Sequence, residues 1–259
     1  MKRERFRMKR NKGPRTVPFL PNFVTTIGLF FGFNSLHFSL MGKFYMAAVM
    51  IFLAAFIDAI DGRIARATNS TSAFGKEYDS LSDVICFGVA PAMMIYLWGL
   101  KGYGRLGFLA CFLFVACGAL RLARFNTDIS SDNTKFTGLP IPVAAASLAS
   151  AILLADTVGS IPNTPILIGV YCLSFLMVST VKYPSFKHVE YIKAHPFQLL
   201  VAGLLLVVVI ASAPEIMAFA LTMTFVVGGL LLSAISTLFA RKKGVNVDQE
   251  PIPGNNHHS

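Results

Sequence analysis

Four aspartates lie close together in the chain, where two strongly apolar segments meet a short polar connection. Asp58 and Asp61 are spaced i, i+3, and Asp79 and Asp83 are spaced i, i+4. Residues at these spacings share one face of a helix, so two antiparallel helices would bring all four carboxylates together. A carboxylate at membrane depth costs a few kcal/mol, so the sequence predicts a compensating cation at this cluster.

The chemistry that this cluster favours is metal-assisted transfer of a phosphoryl group. Hard divalent cations take oxygen ligands, and Mg²⁺ is commonly shared between carboxylates and substrate phosphates. Two facing carboxylate pairs could hold two ions, which would stabilise the attacking and leaving oxygens of an in-line displacement. The small residues Gly62, Ala65 and Gly75 would leave room for a phosphate or nucleotide, and the Arg66 guanidinium suits a diphosphate. The alternative role for the glycines is helix capping.

The composition predicts that a membrane surrounds these residues. Hydrophobic residues make up 54% of the 259 positions and charged residues only 14%, whereas about 25% is charged in a soluble domain. Apolar runs bounded by charge, Pro or Gly predict eight helices of roughly spanning length. They cover 21–41, 44–66, 75–99, 104–124, 140–158, 164–181, 197–213 and 216–240. Without the two shortest, 140–158 and 197–213, six spans would remain.

We therefore predict an all-α, polytopic transmembrane helical bundle. A single domain over 21–240 would follow a basic tail at 1–20 and precede a polar tail at 241–259. Alternating spans put 20 of the 23 basic residues on one side and leave only Lys43, Lys101 and Arg105 on the other. The positive-inside rule then predicts that both termini and the carboxylates lie on the cytoplasmic side of the cell (inner) membrane.

The net charge of +10 does not favour nucleic-acid binding, because of where the charge lies. Eight of the 23 basic residues fall in the first 15 positions, directly before the first predicted span. Such residues fix a span on the cytoplasmic side and attract anionic lipid head groups. Membrane lipids, not nucleic acid, are the predicted partners.

The carboxylate motif resembles the signature of the CDP-alcohol phosphotransferase family at every fixed position. The pattern D-x-x-D-G-x-x-A-R-x8-G-x-x-x-D-x-x-x-D is carried by Asp58, Asp61, Gly62, Ala65, Arg66, Gly75, Asp79 and Asp83. The resemblance implies a membrane enzyme that transfers a phosphatidyl or related group from a CDP-linked donor to an alcohol and releases CMP. It implies two divalent ions, Mg²⁺ or Mn²⁺, held by the four aspartates, with Asp83 also acting as general base. The CDP site would be lined by Gly62, Ala65, Arg66 and Gly75.

Further stretches resemble the serine-using branch of this family, the bacterial integral-membrane phosphatidylserine synthases. They are Leu20–Asn22, Phe87–Pro91 after the last aspartate, Arg121–Asn126, Phe136–Pro142 and Val181–Lys187. The resemblance implies CDP-diacylglycerol and L-serine as substrates. Glycerol 3-phosphate, inositol phosphate and choline, the acceptors of other branches, remain open.

Cations on the predicted inner side are candidates to bind the serine carboxylate or a lipid phosphate. They are Arg121, Arg124, Lys135, Lys182 and Lys187. Each could instead be a positive-inside anchor, and the arginines do not by themselves distinguish serine from a phosphorylated acceptor. Choline is less favoured because no aromatic cluster stands out on this side to bind a quaternary ammonium group.

The first predicted helix carries two further features outside the carboxylate motif. Asn22 and Thr25 open the first helix and could hydrogen-bond the CDP nucleoside, or serve in capping and helix packing. Gly28 and Gly32 form a G-x-x-x-G pattern that favours close helix contact within or between protomers, and hence a homodimer.

A membrane cation transporter is the alternative class of protein, because carboxylates within a membrane also mark ion pathways. Transporters, however, usually carry their charges near the midplane of the membrane.

Overall fold

The computed structural model describes residues 19–67, 72–127, 136–159, 162–179, 181–183 and 212–245. These ranges contain eight α-helices. They are α1 (Phe19–Leu40), α2 (Phe44–Ala67), α3 (Ala73–Asp83), α4 (Ala90–Ile95), α5 (Arg105–Thr127), α6 (Ile141–Val158), α7 (Asn163–Val178) and α8 (Pro214–Val245). Two π-helical segments, Val84–Val89 and Tyr96–Leu100, and a 3₁₀ turn, Lys101–Tyr103, extend α3 and α4 into one continuous helical stretch.

The predicted all-α transmembrane class is confirmed. Within the described residues, six helical segments are long and apolar enough to cross a membrane, and the stretch Ala73–Tyr103 counts as one of them. The helix α7, Asn163–Val178, is apolar but shorter. The predicted helix at 197–213 lies outside the described residues except for its last two positions. The number of spans, the domain limits and the side on which the termini lie remain predictions.

The π-helical segment Val84–Val89 directly follows Asp83 and has a cause in the sequence. Pro91 has no N–H group, and its ring clashes with the carbonyl of residue 87 in a regular α-helix. The helix widens before the proline, and the Ala90 N–H donates to the Ile85 carbonyl, five residues back. Widened turns of this kind occur often at functional sites because they re-aim the neighbouring side chains.

The helices α1 and α2 form an antiparallel hairpin that also packs against the α3–α4 stretch. Gly28 and Gly32 are buried in this contact. A Cβ atom at Gly32 would lie 2.5 Å from Cys86 Sγ, and one at Gly28 would lie 3.5 Å from Ile57 Cγ2. The G-x-x-x-G pattern is therefore used inside the chain, and it no longer supports the predicted homodimer.

A short antiparallel pairing joins Phe136–Thr137 to Lys182–Tyr183, with Phe136 opposite Tyr183. The helix predicted over 164–181 would have included Val181, and this C-terminal boundary was wrong because α7 ends at Val178. Gly138 permits the pairing because its φ is +80°, a conformation that favours glycine. The Gly138 N–H donates to the Val181 carbonyl at 2.9 Å. A side chain at this position would collide with the Met177 carbonyl. Residues from two of the stretches that carry the family resemblance, 136–142 and 181–187, thus pair with each other.

Candidate active site

All four aspartates of the motif line one narrow pocket between α1, α2 and α3. The pocket is small, with a volume of about 10 Å³. Its other lining residues are Thr25, Gly28, Ala54, Ser82, Cys86 and Phe87. The convergence predicted from the i, i+3 and i, i+4 spacings is therefore present.

Three of the four carboxylates form a closer group. One oxygen each from Asp58, Asp61 and Asp79 lies within 4.8 Å of the other two. Two negative charges about 4 Å apart repel by ~1 kcal/mol even in water, and by more where water is excluded. An all-oxygen donor set of this size suits Mg²⁺ or Mn²⁺, since opposite ligands of an octahedral Mg²⁺ are roughly 4 Å apart. The residues present therefore fit a divalent cation.

Asp61 is the most buried of these carboxylates and is held by α1 and by its own helix. Its side chain is 6% exposed. Thr25 Oγ1 lies 3.1 Å from Asp61 Oδ2 and also 3.1 Å from the Pro21 carbonyl. The backbone of Gly62 hydrogen-bonds the same carboxylate. Partners of this kind orient a metal ligand. The structure therefore places Thr25 against a candidate metal ligand, which agrees with the predicted alternative of interhelical bonding, while the nucleotide contact stays a prediction.

Gly75 lies in the contact between α1 and the start of α3. Ser72 caps α3, and its Oγ accepts the Gly75 N–H at 2.9 Å. A Cβ atom at Gly75 would lie 3.1 Å from both Ser72 Oγ and Asn22 Oδ1. Contact between helices is thus a sufficient reason for glycine here, and its predicted place in a CDP site stays a prediction.

Asn22 has a buried amide nitrogen, Nδ2, with no hydrogen-bond partner among the described residues. Asn22 precedes Thr25 by one helical turn, so both lie on the same face of α1. A buried donor without a partner is uncommon and calls for an explanation. A substrate group that accepts a hydrogen bond at this position would supply one.

Asp83 lines the pocket but does not belong to the close group of three. The Arg121 guanidinium of α5 acts electrostatically on Asp83. Arg121 Nε is buried and finds no hydrogen-bond partner in the part of the chain that the structure describes. The structure therefore places Asp83 in the same pocket as the close group of three and within the electrostatic influence of Arg121, whose Nε has no hydrogen-bond partner among the described residues.

The remaining predicted site residues are less well defined. Ala65 and Arg66 belong to the last turn of α2, but only their backbone is described. Arg124 is exposed near the end of α5. The Lys182 backbone lies in the strand pairing and its side chain is not described, while Lys135 and Lys187 fall outside the described residues.

A hydrogen-bonded link between α3 and α5 was not predicted. Asn126 Nδ2 donates to Ser80 Oγ at 3.0 Å, and Lys76 Nζ donates to the Asn126 carbonyl at 3.4 Å. Ser80 is adjacent to Asp79, so the link ties the helix of Arg121 to the helix of the carboxylates. Asn126 is the last residue of the stretch Arg121–Asn126, which resembles the serine-using branch of the family. That resemblance is the signal that could have revealed the link between α3 and α5.

Comparison with known proteins agrees with this geometry. Residues 18–181 match the CDP-alcohol phosphatidyltransferase family. Over 175 residues the chain is 41% identical to a CDP-diacylglycerol–serine O-phosphatidyltransferase of Helicobacter pylori, covering 66% of this chain and 74% of the relative. A Bacillus subtilis protein of the same name is 37% identical, with 65% and 92% covered. An archaetidylserine synthase of Methanothermobacter thermautotrophicus is 39% identical, with 64% and 69% covered. The pocket lies within the matched residues, and the chain belongs to the CDP-alcohol phosphatidyltransferase family.

Proposed function

We propose that this chain transfers the phosphatidyl group of CDP-diacylglycerol to the hydroxyl of L-serine, giving phosphatidylserine and CMP. The observation that carries the proposal is the pocket itself, in which three carboxylates lie within 4.8 Å of one another beside Asp83. The names of the relatives support the acceptor, because the bacterial and archaeal proteins differ in lipid but share serine.

Each part of the proposed reaction is assigned to particular residues. Bound divalent ions, Mg²⁺ or Mn²⁺ and two per site, would neutralise the diphosphate and stabilise the departing CMP. Asp58, Asp61 and Asp79 would hold these ions, with Asp83 also touching the second. Gly62, Ala65, Arg66, Gly75, Asn22 and Thr25 would surround the CDP moiety.

Asp83 acts as the general base in this proposal. It takes the proton of the serine hydroxyl, and the serine oxygen forms a bond to the phosphorus that carries diacylglycerol. The bond from that phosphorus to the CMP oxygen breaks, and CMP leaves with the electron pair. A positioned carboxylate contributes to such proton transfers when it lies within hydrogen-bond reach of the hydroxyl.

Arg121 is the proposed partner of the serine carboxylate. It neighbours Asp83, and its Nε is a buried donor without a described partner. A guanidinium matches a carboxylate with two parallel hydrogen bonds. Arg124, Lys135, Lys182 and Lys187 would add positive charge around the same side or anchor the lipid phosphate.

The proposed setting is the inner membrane, with the pocket facing the cytoplasm. The distribution of Lys and Arg between alternate loops supports this orientation. A homodimer remains a proposal that none of the contacts described above requires.

An acceptor panel tests the proposed activity. The purified protein is supplied with CDP-diacylglycerol and serine, glycerol 3-phosphate, inositol phosphate or choline, and CMP and lipid products are measured with Mg²⁺, Mn²⁺ or a chelator. We expect metal-dependent phosphatidylserine formation with serine alone. CMP release with another acceptor would reassign the branch, and the absence of CMP release with every acceptor would favour the transporter alternative.

A further inference from the structure

A second and larger cavity lies at the opposite end of the helical bundle from the carboxylates. It has a volume of about 600 Å³ and lies between the α1–α2 turn, the end of the α3–α4 stretch and the end of α6. Fifteen residues of α2 separate Lys43 from Asp58, which at 1.5 Å per residue is roughly 22 Å. The cavity is therefore distinct from the candidate active site.

Opposite charges line this cavity without meeting each other. Lys43 and Asp156 are both exposed lining residues. Across the described ranges, neither side chain makes a hydrogen bond or an ion pair. A ligand that carries a negative and a positive group on one short chain would satisfy both.

A further acidic group is bound to the cavity through Tyr45. Tyr45, another lining residue, donates a hydrogen bond to Glu215 of α8 at 3.3 Å, and both Asp156 and Glu215 act electrostatically on the tyrosine. Asp156 and the Tyr45 phenol thus form the acidic side of the cavity, and both can accept hydrogen bonds from an ammonium group.

The position of the cavity points to a lipid as the source of that ligand. Its lining includes Tyr45 and Trp98, and such aromatic residues concentrate where a membrane meets water, at the level of the lipid head groups. The adjoining turn contains Gly42, with a φ of +72°, and Gly159, with a φ of +95°, directly follows α6. A Cβ atom at either glycine would meet none of the described residues within 4 Å, so this part of the rim is open on the described side.

We propose that this cavity binds the head group of a zwitterionic phospholipid that carries a primary ammonium group. The lipid phosphate pairs with the Lys43 ammonium, and the lipid ammonium donates to Asp156 on the acidic side. The acyl chains extend along the apolar surface of the neighbouring helices. This site is independent of the proposed transfer reaction and of its substrates.

Lipid retention measured by native mass spectrometry tests the proposal on the full-length protein. The probes are phosphatidylethanolamine, phosphatidylglycerol, which lacks the ammonium group, and phosphatidylcholine, whose ammonium group cannot donate a hydrogen bond. The test variants are Lys43→Gln and Asp156→Asn, which keep side-chain size and remove charge. Lys101→Gln is the matched control, since Lys101 is an exposed cation near the same end but outside the described lining of the cavity.

We expect phosphatidylethanolamine to be retained over the other two lipids, and each test variant to lose about tenfold in retention, as for one charge-assisted hydrogen bond. Lys101→Gln should retain the lipid as the unmodified protein does. Equal retention of all three lipids, or no loss in either test variant, would show only a nonspecific lipid belt and overturn the proposal. CMP release by the same variants checks that they are folded, because neither residue is near the carboxylates.

Discussion

Two groups of polar residues beside the aspartates differ in how completely they are paired: the α1 wall, formed by Asn22, Thr25 and Thr26, and the α5 wall, formed by Arg121. On the α1 wall, Thr25 bonds Asp61, and Thr26 lies 2.9 Å from the Tyr78 hydroxyl, so α1 is tied to both α2 and α3. On the α5 wall, Arg121 acts on Asp83 but keeps a buried Nε without a described partner. Apart from Asn22, the polar groups named on the α1 wall are paired, whereas the charged Arg121 Nε of the α5 wall has no hydrogen-bond partner among the described residues.

The unpaired donors of the two walls also differ in charge. Asn22 Nδ2 on α1 is neutral, and Arg121 Nε on α5 carries part of a positive charge. Leaving a charged group buried and unpaired costs more than leaving a neutral one. The α5 wall is therefore suited to a carboxylate or phosphate, and the α1 wall to an uncharged acceptor such as a nucleoside carbonyl. The proposed function puts the CDP moiety of the donor lipid on the α1 wall and the serine carboxylate on the α5 wall. The difference in charge between the two unpaired donors agrees with that assignment.

The largest expected effects come from the carboxylates that both walls share. Asp58→Asn should lower turnover by roughly 10³-fold or more, together with metal and CDP-diacylglycerol binding, because a charged ligand is lost. Asp83→Asn should abolish turnover to a similar extent but leave CDP-diacylglycerol binding largely intact, since a base is needed only for chemistry. CMP release and nucleotide-lipid binding measure the two quantities. Equal loss of binding in both variants would remove the distinction between ligand and base.

Arg121 tests the α5 wall directly. Arg121→Lys keeps the charge but loses the planar pair of donors, and we expect the KM for serine to rise by about 10- to 100-fold, the loss of ~1.4–3 kcal/mol. The KM for CDP-diacylglycerol should change much less. Arg124→Lys is the control because Arg124 is exposed. A rise confined to the KM for CDP-diacylglycerol would move Arg121 to the donor side.

Thr25 tests the α1 wall. Thr25→Val keeps the shape and removes the hydroxyl that bonds Asp61, and loss of such an orienting partner typically lowers metal affinity or activity by about 10- to 100-fold. Titration of activity with Mg²⁺ should show this loss, and Thr25→Ser should restore most of it. Thr26→Val is the control, because it removes the bond to Tyr78 and not the bond to Asp61. An unchanged metal requirement in Thr25→Val would show that Asp61 is oriented without α1.

The smallest expected effect concerns the link between the walls. Ser80→Ala and Asn126→Ala each remove the 3.0 Å bond between α3 and α5, at about 0.5–1.5 kcal/mol. We expect a few-fold rise in the KM for serine, with the double variant no worse than the worse single one, because both changes delete one interaction. Thr127→Val, which loses only bonds to carbonyls of its own helix, is the matched control. Strictly additive effects would mean that the bond does not position Arg121.

Much of the fold was predictable because local composition decides it. A membrane span must satisfy its backbone within one helix and bury apolar side chains in lipid, so apolar runs alone predict α1, α2 and α5 to within a few residues. The end of α7 was placed three residues too far, because Val181 is as apolar as the helix before it. The partner strand Phe136–Thr137 lies more than 40 residues away, and no local pattern announces it.

Helical periodicity sets which side chains lie on a common face, so the spacing of the four aspartates was enough to predict that they would come together. Packing between the helices decides that Asp58, Asp61 and Asp79 form the close group, while Asp83 feels the charge of Arg121. It likewise decided that Thr25 serves Asp61, and that Gly32 faces Cys86 and not a second protomer. These outcomes depend on how helices rotate and approach across tens of residues, and side-chain spacing along one helix carries no information about that.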